Sequence, residues 1–141
     1  LGAEGIRLFD LDGERARLLA GALTGALGDV GSDARIEVVE SCEAALAQAH
    51  GLVNGTPVGM HYKPGCPVPE DLLDGCRWVF DAVYTPMETE LLRHAEARGI
   101  DTLSGFQLFM GQGVDGFEVF TGKRLSDADV AALERAILET L

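Results

Sequence analysis

Gly51-Leu52-Val53-Asn54-Gly55-Thr56-Pro57-Val58-Gly59-Met60 is the stretch on which the fold turns. A short apolar run passes into small polar residues and then into Pro57 and Gly59. The run over 51–56 predicts a strand. Its polar residues fall at the carboxyl end, which is where open α/β sheets bind ligands. Gly55 and Gly59 allow a ligand to approach the backbone closely. By composition alone, an ordinary exit from strand to loop explains the stretch equally well.

On both sides of it, short apolar runs alternate with helical patterns, the signature of a parallel α/β sheet. Residues 6–9 predict the first strand, ending at Asp10. A helix is expected from about Glu14, with Leu19, Ala22, Leu23 and Ala26 as one buried stripe and Gly28 and Gly31 at its end. Residues 36–39 predict the next strand, and Ser41 caps a short Ala-rich helix through Ala49. The segment 61–69 carries three prolines and a glycine and predicts a loop. Residues 78–84 predict a fourth strand. Thr85 as N-cap, Pro86 at the first helical position and Glu88 at the third predict a helix running to about Arg98, stopped by Gly99. A short strand is expected near Thr102. Phe106, Phe109, Met110, Gly113, Phe117 and Phe120 mark an amphipathic helix whose aromatic stripe is expected in the core. A last helix after Ser126 is expected to bury Val130, Leu133, Ile137 and Leu141. No internal repeat or domain boundary stands out.

The 141 residues are 47% hydrophobic and 24% charged, which fits one globular domain with its own core. Acidic residues outnumber basic ones 23 to 11, for a net charge of −12. Such a surface repels nucleic acid and anionic lipid, so neither is an expected partner. Cys42, Cys66 and Cys76 are odd in number and form no C-x-x-C pair, which argues for a reducing, cytoplasmic setting. No uncharged apolar run approaches the ~20 residues of a membrane span. His50, His61 and His94 lack metal-ligand spacing, and no metal site is expected. The first residue is Leu1 rather than Met, so the chain is expected to start partway through a longer protein.

Asp10 is the first residue with a chemical reading. In dinucleotide-binding folds, an acidic residue ending the second strand accepts hydrogen bonds from the adenosine ribose hydroxyls. The same charge repels a 2′-phosphate, favouring NAD over NADP, and Asp12 adds a second carboxylate nearby. An Asp after a strand is also a common turn former or helix cap. The companion G-x-G-x-x-G turn would stand about 20 residues upstream, and only nine residues precede Asp10.

The order of three motifs carries a resemblance. The run Asn54-Gly55-Thr56-Pro57-Val58-Gly59-Met60 resembles the Asn-Ala-Thr-Pro-x-Gly-Met signature of shikimate dehydrogenases. Asp81-Ala82-Val83-Tyr84-Thr85-Pro86, continued by Thr89 and Leu91-Leu92, resembles the family's Asp-x-Val-Tyr-x-Pro segment. Gly105, Gln112, Phe117 and Phe120-Thr121-Gly122 resemble its final motif. The resemblance covers nearly the whole chain and identifies it with the nucleotide-binding half of the shikimate/quinate dehydrogenase family. It implies a Rossmann-like parallel sheet with flanking helices, lacking its first strand and glycine turn. Residues 1–141 would then be a partial dinucleotide-binding domain including the C-terminal helices, with the substrate domain absent.

The resemblance also implies roles. Asn54 and Thr56 would line the cofactor cleft, with Pro57, Gly59 and Met60 shaping the loop beside it. Val83 would lie near the nicotinamide, Tyr84 near the substrate, and the Gly105 backbone near the carboxamide. Gln112 would hydrogen-bond a hydroxyl of the ring acid; on composition alone it reads as a solvated helix residue. Asp10-Leu11-Asp12 stands where NADP-using relatives carry Asn-Arg-Thr/Ser, so acid replaces base and the chain resembles the NAD-preferring branch. Arg15 is a candidate to stack on adenine. Gly55 departs from the usual Ala, and Leu108 from a frequent Met.

The implied reaction is hydride transfer between NAD and the ring hydroxyl carbon of shikimate or quinate, in aromatic amino acid biosynthesis. The family's Lys/Asp pair belongs to the absent half, and Lys63 and Lys123 match no part of it, so no catalytic residue is assigned. The expected partner is a small hydroxy acid, and a homodimer stays open. The rival class is a non-catalytic fragment or degenerate homologue that binds a nucleotide or a protein.

Overall fold

The computed structural model describes residues 3–139. The expectation for Leu141 in the last apolar stripe lies outside the described residues. In chain order the elements are β1 (Gly5–Leu8), α1 (Gly13–Asp29), β2 (Arg35–Val38), α2 (Cys42–Leu46), β3 (Gly51–Asn54), a 3-10 turn (Glu70–Leu73), β4 (Trp78–Asp81), α3 (Glu90–Ala97), β5 (Asp101–Ser104), α4 (Gly105–Thr121) and α5 (Asp127–Leu138). Where the sequence shows no internal boundary, the chain divides into two compact units. One comprises residues up to Leu52 with Val68–Cys76, and the other Val53–Pro67 with Arg77 onward.

In the first unit β1 and β2 pair in parallel, with Ile6 opposite Ile36 and Leu8 opposite Val38. Parallel neighbours need a crossover, and α1 supplies it. Asp12 caps α1, its carboxylate accepting from Glu14 N at 3.0 Å and Arg15 N at 3.2 Å. Gly31, at φ +66°, turns the chain after its end. The inward row is Ala16, Ala20, Leu23 and Leu27, not the expected Leu19, Ala22, Leu23 and Ala26; Leu18, Leu19, Ala22 and Ala26 are exposed. The helix is so rich in Ala, Leu and Gly that two apolar stripes overlap, and periodicity cannot choose between them. Ser41 caps α2 by accepting from Ala44 N at 3.2 Å, but α2 stops at Leu46 rather than reaching Ala49. The Arg7 guanidinium donates to the carbonyls of Ala44, Ala45 and Ala47, satisfying the end of that short helix from β1. Leu46, Val68 and Leu73 are the buried apolar centre of this unit.

The second unit is built on β4 and β5, paired in parallel with Val79 opposite Thr102 and Asp81 opposite Ser104. β3 lies on the other side of β4, and the Ala82 N–H donates to the Asn54 carbonyl at 3.0 Å. Val79, Val83, Leu91, Leu92, Ala95, Phe106 and Met110 are buried and form its core. The expected helix start at Thr85-Pro86-Glu88 is not used. The Thr85-Pro86 peptide is cis, residues 85–88 bend, and α3 begins at Glu90 with Thr89 as N-cap. Local signals favoured Thr85, but Thr89 is buried and its hydroxyl is held from the sheet by Asp81 at 2.6 Å. That tertiary anchor decides between two threonines of similar capping propensity.

Ser104 and Gln107 form a capping box at the start of α4, and Gly122, at φ +66°, ends it. The expected aromatic stripe is only partly core. Phe106 and Met110 are buried, whereas Phe109 and Phe117 are partly open and Phe120 is 90% exposed. In α5 the expected stripe is not buried either: Val130 and Ile137 are half-buried and Leu133 is exposed. An apolar period marks a face that can be covered, but burial needs a second surface lying on it.

Candidate functional site

A pocket of about 270 Å³ opens in the second unit, lined by Gly55, Thr56, Pro57, Met60, Ala82, Val83 and Tyr84. Its two walls are the segments that follow β3 and β4, so it stands at the carboxyl ends of two parallel strands, as expected for a ligand site in such sheets. Gly59 sits at φ +108°, a conformation glycine adopts without strain, and the Thr89 methyl lies over it, 3.4 Å from where a Cβ would be. Gly55 has open space where its side chain would stand.

Beneath the pocket lies a closed hydrogen-bond network. Asn54 is buried under the lining rather than part of it. Its amide nitrogen donates to the Val58 carbonyl at 3.2 Å and to Asp81 Oδ1 at 2.9 Å. Its carbonyl oxygen accepts from the Thr56 N–H at 3.0 Å and the Thr56 hydroxyl at 2.8 Å. Both donors and both acceptor positions of the amide are therefore used. The Thr56 hydroxyl in turn accepts from Val58 N at 3.2 Å, so its side chain shapes the loop from within. Asp81, fully buried, also accepts from Val83 N at 3.1 Å on Oδ1 and from the Thr89 hydroxyl on Oδ2. A buried carboxylate is tolerated when donors of this kind surround it.

Gly105 opens α4 against the same wall. A Cβ there would stand 2.6 Å from the Val83 carbonyl oxygen and closer still to Ala82, so the position accepts glycine alone. Four residues later Phe109 stacks on Tyr84, with ring centroids 5.7 Å apart and an interplanar angle of 12°. Gln112 is exposed, one turn beyond Phe109 on the same side of the helix. The spacing Gly111-Gln112-Gly113-Val114-Asp115-Gly116 has the form G-x-G-x-x-G, yet it lies in the interior of α4. Its backbone amides serve the helix ladder and form no phosphate-binding turn.

Asp10, Leu11 and Arg15 belong to the first unit, after the carboxyl end of β1 and at the start of α1. Asp10 Oδ1 accepts from Asp12 N at 2.9 Å, so the residue forms a turn as well as bearing a charge. Leu11 and Arg15 are exposed. Burial pushes the Cys76 thiol up from its usual range; burial and then the Glu43 charge do the same for Cys42, so neither is an activated nucleophile. Among the described residues no His, Cys, Asp and Glu cluster could hold a metal ion, and no helix is long and apolar enough to cross a membrane.

Of the residues expected at a cofactor or substrate site, Thr56, Pro57, Met60, Val83 and Tyr84 line this pocket, whereas Asn54, Gly59 and Gly105 are not in its lining. The sequence reading missed the parts played by Asp81 and Thr89. The only signal was an acidic residue closing an otherwise apolar strand, which is rarely buried without a partner.

No family model matches the chain. The shikimate dehydrogenase (NADP(+)) of Pseudarthrobacter chlorophenolicus is 40% identical over 138 residues, 98% of this chain and 45% of that protein. The quinate/shikimate dehydrogenase (NAD(+)) of Corynebacterium glutamicum strain R is 39% identical over 140 residues, 97% of this chain and 47% of that protein. The solved quinate dehydrogenase from Corynebacterium glutamicum in complex with NAD superposes with a TM-score of 0.84 at 37% identity, covering 98% of this chain and 47% of that one. The chain thus spans about half the length of the curated relatives it matches. With near-complete coverage of its own length by such relatives, and a Rossmann-like α/β architecture in common with them, the chain belongs to the shikimate/quinate dehydrogenase family.

Proposed function

We propose that this chain is the cofactor-holding half of an NAD-dependent dehydrogenase acting on the ring hydroxyl of quinate or shikimate. The observation that carries the cofactor choice is Asp10, a carboxylate just past the end of β1 with Asp12 beside it and no basic residue between them. A carboxylate there accepts from two ribose hydroxyls and repels a 2′-phosphate. One of its oxygens takes the Asp12 N–H, which orients the group and leaves the other to accept. Leu11 is 93% exposed where an arginine would grip a phosphate, and it offers no charge.

The pocket between residues 55–60 and 82–84 fits the nicotinamide end. It is largely apolar and shaped by a loop with two glycines at the ends of parallel strands. Val83 and Met60 would face the ring, and Tyr84 would stand at the border with the hydroxy acid. Gln112 would hydrogen-bond that acid from α4. When bound, the dinucleotide supplies the hydride chemistry; the protein binds it, orients it and keeps water away. No residue of this chain is assigned to move the proton.

Initial rates with quinate and with shikimate, each with NAD and with NADP, test the reading in the intact protein that carries this chain. Higher activity with NADP would overturn the cofactor assignment, and turnover with neither acid would favour a binding module. Asp10→Asn with Leu11→Arg should move the NAD/NADP ratio toward NADP by about tenfold or more, the order of one lost repulsion plus one gained phosphate contact. An unchanged ratio would mean that Asp10 does not face the ribose.

A further inference from the structure

We infer that Asp81 is a positioning residue that locks the two walls of the pocket to each other, with Thr89 as the hydroxyl that completes the lock. The inference rests on the reading of that pocket as the nicotinamide site. Each wall on its own is a loop leaving a parallel strand, and nothing in β-pairing sets how such loops stand relative to one another. Asp81 does. Its Oδ1 takes the Asn54 amide, whose other groups hold Thr56 and Val58 in the first wall. The same oxygen takes the Val83 N–H, fixing the second wall at the residue that lines the pocket. Its Oδ2 takes the Thr89 hydroxyl, whose oxygen also accepts from Leu92 N at 3.3 Å as the cap of α3 and whose methyl covers Gly59.

Three donors from three segments thus converge on one carboxylate that is wholly out of water. None of the three is needed to build the strands, since Ala82 N already pairs β4 to the Asn54 carbonyl. An amide or hydroxyl in place of Asp81 has too few acceptor positions to take all three with the same geometry. The carboxylate therefore sets the spacing between residues 55–60 and 82–84 without touching a ligand.

The test is made on the whole chain, because Asp81→Ala strands three buried donors and is prone to unfold. Thr89→Val keeps the shape and the methyl over Gly59 but removes the donor to Asp81; Thr89→Ser keeps the hydroxyl and removes the methyl. Amide hydrogen exchange is followed residue by residue, with NADH fluorescence titration alongside. In Thr89→Val, the amides of Thr56, Val58 and Val83 should exchange roughly tenfold or more faster than in the parent, with those of β5 unchanged, the loss expected for a buried hydrogen bond to a charged group. Thr89→Ser should restore slow exchange at all three. Acceleration limited to the first turn of α3 would reduce Thr89 to a helix cap and overturn the inference, as would uniform acceleration across the second unit. If the parent chain binds NADH, Thr89→Val should weaken binding several-fold and Thr89→Ser should recover it; unaltered binding in Thr89→Val would also overturn the inference. If the parent binds no NADH, the cofactor reading is what fails, and the exchange pattern alone decides the role of Asp81.

Discussion

A single absent methyl group decides how closely α4 meets the end of β4. The Gly105 backbone packs against the carbonyls of Ala82 and Val83, where any side chain would collide with main chain rather than with a movable group. Gly105→Ala should therefore lower unfolding free energy by about 1–3 kcal/mol, the usual cost of forcing an atom into a filled site. In urea denaturation the midpoint should fall with an unchanged slope. A neutral result would show that α4 can slide at its first turn. In the sequence Gly105 was legible only through the family pattern, and there it implied approach to a cofactor. Its nearest demand is structural, and both readings call for glycine. Asp81 was less legible still: a charged residue at a strand end ordinarily faces solvent, and its burial follows from partners 27 and 8 residues away.

At the scale of elements, capping was well written into the chain wherever competition was absent. Ser41 starts α2 and Ser126 starts α5, each accepting from a backbone N–H three residues on. In α5 the box closes both ways. The Ser126 hydroxyl donates to Asp129 at 2.6 Å and its N–H at 3.2 Å, which holds the Asp129 carboxyl below its usual 3.8. Because the folded value is depressed, the box contributes fully above 3.8 and is lost as pH falls through the lower folded value. A carbon-13 titration of the Asp129 carboxyl should give a midpoint below 3.8, and Ser126→Ala should return it toward 3.8. A midpoint at or above that value in the parent would mean that the box is open in solution. The start of α3 was misplaced because Thr85 and Thr89 offer nearly the same local chemistry, and the sheet selects the second.

On the scale of the whole molecule, the amphipathic periods of α1, α4 and α5 overstate the core. Phe106 and Phe120 belong to the same helical pattern, yet one is 6% exposed and the other 90%. Phe106→Ala should cost about 3–5 kcal/mol, whereas Phe120→Ala should stay within about 0.5 kcal/mol. Chemical denaturation of the two variants checks this directly, and equal costs would mean that Phe120 is covered in solution. The division into two units was not visible either: the Pro-rich segment 61–69 reads as an ordinary loop, and nothing marks Val68–Cys76 as returning to the first unit after it. Chain segments that leave and re-enter a unit carry no compositional mark.

By itself the sequence determined the order of strands and helices, the parallel α/β class, the small, glycine-bearing loop after β3 and the acidic residue just past the end of β1. These depend on period, turn chemistry and charge, which are properties of neighbours along the chain. Only the tertiary structure decided which apolar stripes are covered, which threonine begins α3, and that Asn54, Asp81 and Thr89 meet under the pocket. Burial and convergent hydrogen bonding depend on which surfaces come together across long separations, and no local pattern encodes that choice.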